Sequence, residues 1–77
     1  MEGILMTVRI EYMVVNRNGS VITNWCVTEG SVQNDPNVYL PRAYAAAQRF
    51  SQPMNGLLGR VRIVDEQNHR IVDMVNV

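Results

Sequence analysis

The stretch TVRIEYMVVNRNGSVITNWCVT, residues 7–28, decides the fold. Its first half alternates, with Val8, Ile10, Tyr12 and Val14 on one side of an extended chain and Thr7, Arg9 and Glu11 on the other. Successive side chains of a strand point to opposite faces, so this is the spacing of a strand with one buried face. Asn16-Arg17-Asn18-Gly19 follows, and Asn-Gly tolerates the positive φ that a tight hairpin turn demands. β-Branched and aromatic residues (Val21, Ile22, Thr23, Trp25, Val27, Thr28) then favour a pleated return strand from Ser20. The stretch predicts a β-hairpin over residues 7–28.

Outward from it, residues 29–40 read as a loop, because Gly30, Ser31, Asn34, Asp35, Pro36 and Asn37 break any regular period. Within it, Asp35-Pro36 is suited to open a single helical turn. Pro41 starts a clear helix, residues 41–52, with three consecutive alanines at its centre and Pro53 beyond its end. Ala43, Ala47 and Phe50 form its inner stripe with Tyr44 beside them, and small alanines let a helix lie close on a sheet. Residues 54–59 connect to a second hairpin over 60–77. There Val61 and Ile63 alternate with Arg60 and Arg62, and Glu66-Gln67-Asn68 turn the chain. The return segment, His69 to Val77, carries Ile71, Val72, Met74, Val75 and Val77, apolar on both faces.

The expected fold is a single small α+β domain over residues 1–77. Its sheet is a single antiparallel layer of two β-hairpins, with one helix packed on one face, in the order ββαββ. That order resembles many small domains encoded by bacteria, phages and mobile elements, a likeness of fold alone.

A chain of 77 residues builds only a modest core, worth a net stability of about 4–10 kcal/mol. Small domains commonly supplement such a core with a disulfide, a metal or a partner subunit. Cys26 is the only cysteine and His69 the only histidine, so no intrachain disulfide and no zinc site of familiar spacing is expected. A second copy is left as the supplement. Charged residues are 18% of the chain against 47% hydrophobic, which leaves apolar surface once the core has formed. Seven arginines, with no lysine, balance seven acidic residues, so no long-range field draws the chain to nucleic acid or membrane. The first ten residues lack a basic leader and an unbroken apolar run, and with the free cysteine they point to the cytoplasm.

Catalysis requires converging groups, and the inventory is thin. His69 reads as a solvated turn residue and Cys26 as a small buried hydrophobe. Asp65, Glu66 and Asp73 read as turn and cross-strand partners rather than a carboxylate site. Gly56 and Gly59 lack the lysine and helix start of a phosphate loop. No catalytic residue, metal ligand or cofactor is assigned. Arg60 and Arg62 share a face of one strand, and Arg9 joins them if the first and third strands are neighbours. With Tyr12 or Trp25 near, such a face suits single-stranded nucleic acid; without a free charge it is a ladder with Glu11 and Asp73. Trp25 is read first as a core residue and second as an interface anchor.

The leading expectation is a non-catalytic protein-interaction module acting as a homodimer, an accessory or inhibitor protein of a bacterium, phage or mobile element. Met13, Val15, Trp25, Val72 and Met74 are its interface candidates. The alternative is a small nucleic-acid-binding domain that uses Arg9, Arg60 and Arg62.

Overall fold

The structure, a computed structural model, describes residues 6–76. Val77, the last residue of the expected second hairpin, and the first five residues lie outside them. The order is β1 (Thr7–Asn16), β2 (Val21–Gln33), α1 (Pro36–Arg49), a 3-10 turn (Pro53–Asn55), β3 (Leu57–Asp65) and β4 (Ile71–Asn76). The four strands make one antiparallel sheet in the order β2-β1-β3-β4, with α1 on one face. This is a small α+β fold.

The first hairpin turns where the Asn-Gly signal places it, although of the two residues Gly19 alone takes positive φ. Gly19 takes φ +87 and donates its N–H to the Asn16 carbonyl, while the Asn16 side chain accepts the N–H of Asn18 and Ser20. β1 keeps its period of two against β3. Ile10 faces Ile63, Tyr12 faces Val61 and Val14 faces Gly59, all beneath the helix. The core consists of Val8, Ile10, Val32, Tyr39, Ala43, Ala46, Ala47, Val61, Ile63 and Val75. Phe50 packs at its rim, its ring stacked 3.7 Å from that of Tyr12.

Three expected boundaries need correction. The segment 29–40 is not a loop, since β2 runs on to Gln33 and α1 begins at Pro36. Gly30 and Ser31 sit inside the strand because β2 has several register shifts against β1, and an irregular strand accommodates such residues. Ser31 adopts φ +53 there. The helix spans Pro36–Arg49 rather than 41–52. Asp35 caps it by accepting the Asn37 N–H at 3.0 Å, Pro36 takes the first turn, and Pro41 lies inside. Burial of Tyr39 against the sheet, with Val38 and Leu40 packed beside it, outweighs the hydrogen bond that Pro41 forgoes. The second hairpin has its strands at 57–65 and 71–76, and His69 belongs to the turn at φ +57. Tyr44, placed beside the inner stripe from sequence, is exposed, and Ala46 and Tyr39 take the buried positions.

Gly59 fixes how closely the helix approaches. A Cβ there would stand 2.9 Å from the Ala47 carbonyl oxygen, and its N–H donates to Ser51 Oγ at 2.8 Å. Ser51 in turn donates to that carbonyl. The end of α1 is thereby tied to β3.

Candidate interaction surface

With Tyr12 and Val14 under the helix, the odd-numbered residues of β1 point to the other face of the sheet, on which no helix packs among the described residues. β1 and β3 are neighbours, so Arg9, Arg60 and Arg62 share that face with Glu11. Glu11 binds two of them. Arg9 Nε donates to Oε2 and Arg62 Nε to Oε1, both at 2.6 Å. Burial works to raise the Glu11 pKa, but hydrogen bonds and positive charge from Arg9 and Arg62 outweigh it and hold the carboxyl below its usual value. The Arg62 guanidinium also lies 4.1 Å from the centroid of the Trp25 ring. Trp25 is therefore half-buried on the helix-free face and is not part of the core.

Around this knot stand apolar side chains. Val21 and Val27 of β2, Leu58 of β3, and Val72 and Met74 of β4 are all exposed. Met74 pairs with Arg62, which places it on the same face, and Met13 is half-buried opposite Arg60. Val15 is buried within the chain. Of the five interface candidates, Val72 and Met74 are thus the exposed ones. Of the three arginines, Arg60 is the exposed one; Arg9 and Arg62 are held by Glu11.

The remaining chemistry-bearing groups are dispersed. Asp65 accepts the N–H groups of Gln67 and Asn68, which hold its carboxyl below the usual range and shape the β3–β4 turn. Glu66 reaches over β1 to accept the Ser31 N–H at 3.1 Å. Asp73 lies on the helix side, where Oδ2 accepts the Tyr39 hydroxyl at 3.4 Å. Burial first, and then the Asp73 charge and hydrogen bond, push the Tyr39 pKa above its ordinary value. Cys26, read from sequence as a buried hydrophobe, is exposed on β2. Among the described residues no three histidine, cysteine or carboxylate groups are grouped to hold a metal ion. An open depression of about 410 Å³ between the first hairpin turn and the 3-10 turn is lined by Arg17, Met54, Gly56 and three asparagines, none set up as an acid or base. No described helix is long and apolar enough to cross a membrane.

The Tyr39–Asp73 contact escaped the sequence reading, since 34 residues separate the pair and no spacing rule joins them. The Glu11 bridge was visible only as one of two fates for the arginines. Comparison with models of protein families, with curated proteins and with solved structures gave no match to this chain.

Proposed function

We propose that the protein is a non-catalytic protein-interaction module that works as a homodimer. The observation that carries this reading is the apolar exposure on the edge strands: Val72 is 44% and Met74 49% exposed on β4, and Val21 and Val27 are 55% and 57% exposed on β2 at the opposite edge. A small sheet with a helix on one face leaves such side chains in water unless a partner covers them. Molar mass by light scattering after gel filtration, at low and moderate salt, tests it. A dimer at both salts is the expected result, because apolar burial is insensitive to ionic strength. A chain that stays monomeric up to roughly 1 mM, far above any dissociation constant a small specific interface would have, would overturn it.

A second reading keeps the arginine face. Three arginines against one glutamate leave that face positive, and Trp25 offers an aromatic surface. It predicts nucleic acid that co-purifies and is released by salt, and loss of that binding in the double variant Arg60→Ala, Arg62→Ala. The occupation of Arg9 and Arg62 by Glu11 favours the homodimer.

A further inference from the structure

The two edges of the sheet differ. β2 is irregular, with its register shifting against β1 between Val8 and Ile10, Ile10 and Glu11, Tyr12 and Val14, and Val14 and Val15. Such bulges twist an edge and prevent it from templating a straight strand. β4 has a single shift, near its start, and pairs regularly with β3 from Asp73 to Asn76. It contains no lysine and no proline, and its one charged residue, Asp73, is what blunts it, by facing the helix side and holding an edge N–H.

Which backbone groups β4 presents follows from the ladder. Glu66 donates its N–H to the Thr7 carbonyl, so the backbone groups of that pair face each other. Antiparallel pairs alternate, which makes Glu11–Arg62 and Met13–Arg60 hydrogen-bonded pairs as well. The backbone groups of Arg62 and Arg60 therefore point to β1. Their partners across β4, Met74 and Asn76, point away from β3 to the free edge. At that edge the Met74 N–H is held by Asp73 Oδ1 at 2.9 Å, while the other carboxylate oxygen holds Tyr39.

We infer that the homodimer seam is β4 against β4 of a second copy, antiparallel, with Met74 opposite Met74 on the twofold axis and Asp73 as the latch that must release Met74. The inference rests on the homodimer reading. A second copy fits because the register is self-complementary: Asp73 meets Val75 and Val72 meets Asn76, so no like charges oppose each other. Stacking two helix-free faces would instead press the arginine clusters together. In the seam, Arg62 and its symmetry mate lie three strand spacings apart, about 14 Å, beyond the screening length of ordinary salt. The helices pass the same check. α1 lies chiefly over β3, so two copies stand about 14 Å apart, enough for cylinders of ~10 Å diameter. The seam spans residues 72–76 on each copy, small beside a standard interface of ~1,600 Å², so dissociation in the micromolar range is expected.

Three proteins decide it by light scattering across a concentration series: wild type, Met74→Pro and Asp73→Ala, with circular dichroism to confirm folding. Proline at 74 removes an N–H that the β3 ladder does not use, and is expected to give a folded monomer. Asp73→Ala frees that N–H on both copies and is expected to tighten the dimer about 25-fold to 100-fold, the worth of one net hydrogen bond repeated by the twofold axis. A wild-type dimer that persists in folded Met74→Pro overturns the seam and leaves the homodimer standing. A wild-type monomer removes the homodimer reading; the seam then survives only if Asp73→Ala dimerises, and falls if that variant is monomeric too.

Discussion

At the scale of single residues, Glu11 is the group on which the helix-free face depends. It is 6% exposed, carries charge, and satisfies both oxygens with arginines whose own side chains are about one quarter exposed. Hydrogen bonds to charged groups contribute ~1.5–3 kcal/mol, so Glu11→Gln is expected to cost about 2 kcal/mol at neutral pH, read by urea denaturation. The pH dependence has a definite sign. A carboxyl with a lowered folded pKa contributes stability above its unfolded value of 4.5 and loses it as pH falls through the folded pKa. The gap between wild type and Glu11→Gln should therefore shrink in acid, and an equal gap at pH 7 and pH 3 would show that the carboxylate charge is not what matters. Tyr39 works at the other end. Its raised pKa gives stability that is present below the ordinary value of 10.0 and lost as pH rises through the folded pKa. Tyr39→Phe, which keeps the ring and cannot ionise, is expected to flatten the alkaline decline in thermal melts; an unchanged decline would exclude Tyr39 as its source. The alternation of β1 made Glu11's face legible in the sequence. Arg62 was legible only as one of several arginines in a possible ladder with Glu11, because 51 residues separate the two and the pairing depends on strand order.

At the scale of elements, the sharpest test is where helix meets sheet. Gly59 has no positive φ, so an alanine there is opposed by space alone: its Cβ would sit 2.9 Å from the Ala47 carbonyl oxygen of α1 and 3.1 Å from the carbonyl carbon of Phe50, the cap of that helix. Gly59→Ala is expected to cost ~1–3 kcal/mol, the range for overpacking a tight contact, with the midpoint shifted and the urea slope retained. No loss of stability would mean that α1 rides higher over β3. The elements themselves were legible where one local rule acts alone. β1 and the Asn-Gly turn follow from period and turn chemistry. β2 and α1 were misjudged at their shared boundary because two rules compete there. Gly30 and Ser31 signal a loop, yet an irregular strand uses the same residues, and the backbone pairs on to Gln33. Pro41 signals a helix start, yet Asp35 and Pro36 already supply a cap and a first turn, and Tyr39 anchors that turn in the core. Tertiary packing decided both cases, and packing is not written in a local window.

At the scale of the whole molecule, a net stability of about 4–10 kcal/mol leaves little margin for an uncovered edge and exposed valines. If two copies share the edge of β4, association and folding are linked, because the partner binds the folded chain and not the unfolded one. The melting temperature should then rise with protein concentration. A tenfold rise in concentration well above the dissociation constant adds roughly 1.4 kcal/mol per mole of dimer, or about 0.7 kcal/mol per chain. For a domain of this size that moves the midpoint by about 3–6 °C. In Met74→Pro, which lacks the outward N–H, the midpoint should not change with concentration. The contrast places the association at the β4 edge; a midpoint that rises equally in the proline variant would place it elsewhere on the chain. A wild-type midpoint as insensitive as that of the proline variant would mean that the 13-residue β2, the helix and their core hold the chain alone. The exposed Val72 and Met74 of β4 would then be left without a role in stability.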